Sequence, residues 1–181
     1  ALYGNRKPQF APGSRWEYSN YGFILLGLIV EKASGQSYYD YVREHIYKPS
    51  GMASTDALPD REGVPNRSVG YTRTGVLLRP NNDTLPFRGT SAGGGYSTVE
   101  DLLRFANALL GHDLLNVQYT TLLTTGQVDT PRGRYGYGFT DVTSDGIRSI
   151  GHGGGAPGMN GELRIYPDSG YIVAVLANIN P

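Results

Sequence analysis

The spacing of apolar residues changes character once along this chain of 181 residues. Over residues 19–33, 37–47 and 97–110 apolar side chains recur at helical spacing, whereas after about residue 134 they alternate with polar ones. Helices followed by strands predict an α+β fold. We therefore expect a mainly helical subdomain with long loops at 1–134 and an antiparallel β meander at 135–181.

Local signals place the ends of these elements. Ser19 or Asn20 is the predicted N-cap of the first helix, Gly35 its stop, and Ser97 or Thr98 the cap of the third helix. Candidate strands of the meander cover 137–142, 146–151, 161–166 and 171–178, with a turn at 167–170. Two shorter strand-like pieces, 70–72 and 75–78, interrupt the long loop at 53–95.

Composition excludes several classes of function. Sixteen basic and sixteen acidic residues cancel, so the chain has neither the basic footprint of a nucleic-acid-binding protein nor a polybasic lipid anchor. The absence of cysteine excludes disulfides, thiolate metal sites and cysteine nucleophiles. The longest apolar run, 23–30, is shorter than the roughly 20 residues that a transmembrane helix needs. No metal or cofactor is predicted.

The tripeptide Tyr18-Ser19-Asn20 lies at the N-terminus of the first predicted helix. A phenol there lies where the helix dipole favours an anion, so Tyr18 could act as a general base with a cation nearby. Asn20 offers both a donor and an acceptor to a substrate amide. The alternative is an aromatic residue in a turn beside an N-cap, and the tripeptide alone leaves both open.

A second candidate, Gly151-His152-Gly153-Gly154-Gly155, ends a predicted strand. Glycines in a strand permit close approach of a backbone or a ligand. A backbone N–H in this stretch could bind an oxyanion, and His152 could shuttle or donate a proton. A glycine-rich corner without a catalytic role explains the same residues.

The segment Gly89-Thr90-Ser91-Ala92-Gly93 fits the nucleophile elbow Gly-x-Ser-x-Gly of α/β-hydrolases. An elbow requires a buried parallel strand before it, and residues 79–86, with two prolines, do not form one. In addition, the His-Gly-Gly-Gly stretch follows the segment, whereas an oxyanion motif of that kind precedes the elbow. We reject the α/β-hydrolase interpretation.

The order of Tyr-Ser-Asn and His-Gly-Gly, with their surroundings, resembles the second and third motifs of the superfamily of serine β-lactamases, penicillin-binding DD-peptidases and related esterases, in its class C-like branch. The resemblance covers nearly the whole chain. It includes 12–22 at the second motif, 26–52 in the two following helices, 93–102 in a later loop and helix, and 151–180 in the C-terminal sheet. It implies a partial β-lactamase/transpeptidase-like fold.

The resemblance also implies roles. In this family a serine of a Ser-x-x-Lys motif attacks an ester, peptide or β-lactam carbonyl. By position, Tyr18 and His152 are then catalytic, with His152 in place of the commoner lysine. Asn20, Gly154, Gly155 and, at the edge of the site, Asn180 contact a small-molecule or peptide substrate, and the Gly155 N–H is the oxyanion donor.

The sequence departs from the family in one respect, because no serine is followed three residues later by lysine. The resemblance implies that the nucleophile helix and the first strands precede residue 1, and that a covering helix follows Pro181. We therefore expect a C-terminal portion of a bacterial serine hydrolase. The sequence itself does not define a compartment, and the resemblance favours the periplasm, the cell envelope or the exterior. Alone the chain should be inactive, and it could self-associate through an incomplete sheet. The alternative is a non-catalytic binding or scaffold module of the same fold.

Overall fold

The helices of the computed structural model, which describes residues 7–59, 62–81, 84 and 86–179, begin at the side-chain caps that the sequence supplies. The Ser19 hydroxyl accepts a hydrogen bond from the Gly22 N–H at 3.1 Å, and Gly35, at φ 72°, ends the first helix in the left-handed region. Both predicted ends are confirmed. The helical elements are α1 (Asn20–Ser34), α2 (Tyr38–Val42), a π-helical turn (Arg43–Tyr47), α3 (Val99–Leu110) and α4 (Val117–Thr124). None of them has the length and apolar composition that crossing a membrane requires, within the part of the chain just given.

The strands form a two-stranded ribbon and a six-stranded sheet in which each strand pairs antiparallel with the next. The ribbon consists of β1 (Tyr71–Thr74) and β2 (Leu77–Pro80). The sheet contains β3 (Val128–Thr130), β4 (Gly133–Tyr135), β5 (Thr140–Ser144), β6 (Ile147–Ala156), β7 (Met159–Tyr166) and β8 (Tyr171–Ala177). The predicted α+β class, with an antiparallel meander after the helices, is confirmed.

Two differences from the predicted elements concern the residues before the meander. Helix α4 and the short strands β3 and β4 were not predicted, and the sheet begins at Val128 rather than near residue 135. Strand β5 begins at Thr140 and not at residue 137, because the Gly136 N–H donates to the Phe139 carbonyl and closes a turn there. The division into two subdomains at 134/135 stays a prediction.

The core lies between α3 and one face of the sheet. Ala106 of α3, Ile150 of β6 and Ile165 of β7 are almost fully buried together, and Leu110, Phe139, Leu163 and Ile172 pack around them. Since side chains two apart in a strand share a face, His152 lies on the same face as Ile150, toward the helices. The opposite face exposes apolar side chains of β8, among them Tyr171, Val173 and Val175.

The first turn of α3 is tied to the loop after α2 by a buried carboxylate. Asp101 is fully buried, and its oxygens accept from the Ser54 N–H at 2.7 Å, the Thr55 hydroxyl at 2.8 Å and Arg104 at 2.6 Å. Burial raises the pKa of Asp101, but the hydrogen bonds from Thr55, Ser54 and Arg104 outweigh it and hold the pKa below its ordinary value. These bonds fix Thr55 beside the cleft described next.

Candidate active site

Two sequence motifs far apart in the chain meet in an aromatic cluster. The ring centroids of Tyr18, which precedes α1, and His152, on β6, are 6.0 Å apart. Tyr135 of β4 lies edge-on to both, at 6.4 Å from Tyr18 and 5.8 Å from His152, and Trp16 packs against Tyr135 at 5.7 Å. Edge-to-face and tilted arrangements at these distances are favourable for aromatic rings. The fold therefore brings the second and third motifs to one place.

Both ring nitrogens of His152 have partners. Its Nε2 lies 3.1 Å from the Tyr135 hydroxyl oxygen, and its Nδ1 lies 2.5 Å from the Gly153 carbonyl oxygen. Burial raises the pKa of Tyr135 to about 12, and the nearby Tyr18 contributes in the same direction. The Tyr135 hydroxyl is thus protonated at neutral pH.

A large cleft of about 1440 Å³ opens beside this cluster. Five of the predicted site residues line it, namely Tyr18, Asn20, His152, Gly154 and Gly155. The sixth, Asn180, is outside the described residues. The fold thus brings these five residues to one cleft. Their catalytic and binding roles stay predictions.

The floor of the cleft is largely apolar. It contains side chains of α1, the π-helical turn and α3, with Met52 and Thr55 between them: Ile24, Ile46, Met52, Thr55, Leu102 and Phe105. Clefts with an apolar lining and a few convergent polar groups are typical ligand sites. The polar side chains predicted to act on a substrate, Tyr18, Asn20 and His152, line the same cleft, together with further polar side chains such as Asp56, Asn160 and Glu162.

One wall of the cleft is a stretch of β6 with an unpaired edge. Strand β5 pairs with β6 only as far as Gly151, whereas β7 pairs along the whole of His152–Ala156. Beyond Gly151 one edge of β6 therefore has no neighbouring strand among the described residues. Alternate residues of a strand direct their N–H groups to a given edge, so backbone donors of this glycine stretch are available to a ligand.

Another wall of the cleft is the loop Gly93–Gly95. Its three glycines have φ values of 132°, 88° and 90°, which L side chains rarely adopt. Reciprocal backbone hydrogen bonds between Thr90 and Gly93, and between Asp56 and Tyr96, hold the loop at both ends. Arg43 fixes Asp56 in turn with two hydrogen bonds of 2.8 and 2.9 Å.

The Gly-x-Ser-x-Gly segment lies in the loop before this wall and not at a strand end. No strand directly precedes Gly89 in the described part of the loop, and Ser91 is packed against Gly27 of α1. This surrounding is not that of a nucleophile elbow, in agreement with the rejection made from the sequence.

Tyr135 and Trp16 are members of the cluster that the sequence did not reveal. Tyr135 opens the segment Tyr-Gly-Tyr-Gly, and a buried aromatic residue among glycines is the signal that could have pointed to it. Trp16 is the only tryptophan of the chain, but nothing in its neighbourhood marks it as a site residue. Within the described residues no three His, Asp or Glu side chains are grouped so that they could hold a metal ion.

Comparison with known proteins agrees with this geometry. Penicillin-binding protein 4 of Amycolatopsis lactamdurans is 30% identical over 183 residues, which cover 92% of this chain and 48% of that protein. The crystal structure of a penicillin-binding protein from Bacillus halodurans superposes with a TM-score of 0.91 at 35% identity, covering 95% of this chain and 54% of that one. A D-stereospecific amidohydrolase from Streptomyces sp. superposes with a TM-score of 0.83 at 29% identity, over 97% of this chain and 54% of that one.

The chain thus spans about half the length of these three relatives. The family described as Beta-lactamase matches residues 1–181, the full extent of the sequence. The two motifs that meet at the cleft and this match over the whole chain lead to one conclusion: the chain belongs to the beta-lactamase family of serine-hydrolase-related folds.

Proposed function

We propose that these residues form half of the active site of a serine hydrolase that acylates a serine with an ester, peptide or β-lactam carbonyl. The observation that carries the proposal is the meeting of Tyr18, Asn20 and His152 at one cleft beside the open edge of β6. In this proposal Tyr18 moves the proton, and Asn20 holds the substrate amide. The Gly155 N–H stabilises the oxyanion, since it belongs to the stretch of β6 beyond its pairing with β5.

The nucleophile is proposed to come from a segment that these 181 residues do not contain. None of their serines is followed three residues later by lysine. The apolar side chains of the cleft floor, Ile24, Ile46, Leu102 and Phe105, suit the buried face of a helix that carries the nucleophile.

Acylation measurements on the isolated chain test the proposal that the nucleophile lies outside these 181 residues. We expect no covalent adduct by intact mass after incubation with a chromogenic β-lactam, p-nitrophenyl butyrate or a fluorescent penicillin. An adduct on any serine of the chain would contradict the proposal. If the adduct were on Ser91, the nucleophile-elbow interpretation would be restored.

The role of Tyr18 is tested in a protein that also carries a Ser-x-x-Lys segment. Tyr18→Phe is expected to slow acyl transfer by about 10²–10⁴-fold, because a positioned general acid/base contributes about that much. Tyr18 is partly exposed, so the melting temperature should change little. Tyr119→Phe on α4 is the matched control at a similarly exposed tyrosine. Unchanged turnover with a lowered melting temperature would make Tyr18 a structural residue.

A second candidate function is a non-catalytic binding or scaffold module, which the absence of a Ser-x-x-Lys sequence favours. In that case the cleft would hold a ligand or a partner segment without acylation. The gene discriminates between the two: an upstream reading frame that encodes a Ser-x-x-Lys helix supports the enzyme, and its absence supports the module.

Self-association through the sheet is a further part of the proposal. The outer face carries the exposed side chains Tyr171, Val173 and Val175, and β8 is one of the two edge strands of the sheet. Exposed apolar faces and open edges recruit other chains. Light scattering should report a dimer or a larger assembly, and a stable monomer at high concentration would contradict this part.

A further inference from the structure

The hydrogen bonds of His152 determine where its proton lies. A carbonyl oxygen only accepts hydrogen bonds, so the 2.5 Å contact with the Gly153 carbonyl requires a proton on Nδ1. A neutral imidazole carries a single ring proton, and Nε2 is therefore left with a lone pair. That lone pair faces the Tyr135 hydroxyl at 3.1 Å, which is the donor in this contact.

Tyr135 is well placed to hold this arrangement. Its side chain is buried, with only 8% of the residue exposed, and β4 and the ring of Trp16 restrict its movement. It does not line the cleft. Rotating the His152 ring by 180° would put carbon atoms in place of both nitrogens and lose both hydrogen bonds. The two contacts therefore support each other.

We infer that Tyr135 is a positioning residue that holds neutral His152 as the Nδ1–H tautomer, so that His152 offers the cleft no free N–H. The assignment of the tautomer stands on geometry alone, whereas its consequence for acyl transfer rests on the proposed function. Under that function neutral His152 does not donate a proton to the substrate. Proton movement is left to Tyr18 and to the lysine of the Ser-x-x-Lys segment, and His152 contributes an uncharged, fixed ring to the cleft wall.

Nitrogen NMR of the isotope-labelled 181-residue chain at pH 8 tests the tautomer directly. We expect the shift of a protonated ring nitrogen at Nδ1 of His152 and that of an unprotonated, hydrogen-bonded nitrogen at Nε2. His45 and His112 are internal references, and His152→Gln assigns the resonances. A spectrum with the proton on Nε2 of His152 would overturn the inference.

Tyr135→Phe tests the positioning role with a nearly isosteric side chain. Loss of one neutral hydrogen bond is expected to lower the ratio of the Nδ1–H to the Nε2–H tautomer roughly fivefold and to move the Nε2 resonance. The resonances of His45 and His112 should stay in place, and Tyr119→Phe should leave His152 unchanged. An unaltered Nε2 resonance in a folded Tyr135→Phe variant would refute the role.

The inference about the His152 tautomer and the proposed function can be contradicted independently of each other. A chain that is never acylated can still show the Nδ1–H tautomer, because the spectrum is recorded without substrate. Conversely, an active serine hydrolase with the proton on Nε2 would keep the proposed function and remove the role assigned to Tyr135. If Tyr135→Phe does not fold, the tautomer of the unmodified chain still decides the first step.

Discussion

Helix α1 passes so close to the Gly89–Gly93 loop that a single added methyl group should destabilise the protein. A Cβ built on Gly27 would overlap the Ser91 hydroxyl and lie 2.7 Å from the Ser91 Cβ, closer than Cβ contacts occur in proteins. Overpacking of this kind costs about 1–3 kcal/mol, and the Ser91 Cβ cannot rotate away as the hydroxyl can. Alanine also gains about 1 kcal/mol over glycine in a helix. Gly27→Ala should therefore lower the free energy of unfolding by up to about 2 kcal/mol, with about 1 kcal/mol at the middle of the range.

A double-mutant cycle isolates the contact. Ser91→Gly removes both clashing atoms, so Gly27→Ala in that background should stabilise the protein by about 1 kcal/mol through helix propensity alone. The coupling energy between the two sites is then about 1–3 kcal/mol. Ser91→Ala should rescue only in part, since it keeps the Cβ. Urea unfolding followed by the fluorescence of Trp16, the only tryptophan, measures all four corners of the cycle.

Gly22→Ala in the same helix is the matched control. A Cβ there would meet Ser19 at 3.6 Å, an ordinary contact, so this substitution should not destabilise the protein. The reasoning fails if Gly27→Ala is as stable as Gly22→Ala, or if Ser91→Gly leaves the effect of Gly27→Ala unchanged. Either outcome would mean that the loop does not press on α1.

Three other contacts are tested by substitution. Asp101→Asn should lower the free energy of unfolding by about 2–3 kcal/mol at pH 7. Because the folded-state pKa of Asp101 is lowered, its contribution is present above the unfolded pKa near 4 and is lost as the pH falls through the folded value, so the difference should shrink in acid urea titrations. Gly151→Ala should abolish soluble expression, because its Cβ would overlap a carbonyl oxygen of β7, whereas Gly154→Ala, with open space around it, should express normally. Asp141→Asn should lower the free energy of unfolding by about 1–2 kcal/mol at neutral pH. The hydrogen bond from Arg148 lowers the pKa of Asp141 despite partial burial, so the variant should lose less stability than the parent as the pH falls.

Strong local signals were sufficient to predict most of the fold. The cap at Ser19 and the left-handed Gly35 bound α1 as expected, and alternation located β7 and β8 within two residues. The prediction that β6 ends at Gly151 was wrong, because the glycine stretch continues the strand to Ala156 by pairing with β7. Helix α4 was missed because its eight residues include three threonines, which are weak helix formers, and its cap, Asn116, precedes no clear apolar stripe. Strands β3 and β4 have three residues each, too few for a period to be recognised.

The site was predictable as far as its motifs extend. Tyr18, Asn20, His152, Gly154 and Gly155 all line the cleft, because motif order and the surrounding sequence carry that information. Tyr135 was not predicted, because its role depends on pairing between β4, β5 and β6. This pairing brings Tyr135 next to His152, 17 positions further along the chain. Such a contact follows from strand register, and register was not predicted for strands of three residues.

The sequential order of the six-stranded sheet has a consequence for the folding pathway. Every strand from β3 to β8 finds its partner at the next turn of the chain, so little loop-closure entropy opposes each pairing step. Local pairing of this kind forms quickly, whereas Tyr18 must meet His152 across more than a hundred residues of intervening chain. The sheet is therefore expected to form as an early unit, with the aromatic cluster of Tyr18 and His152 assembling in the last and slowest step. A stopped-flow experiment would see the strand signal develop before the quenching of Trp16.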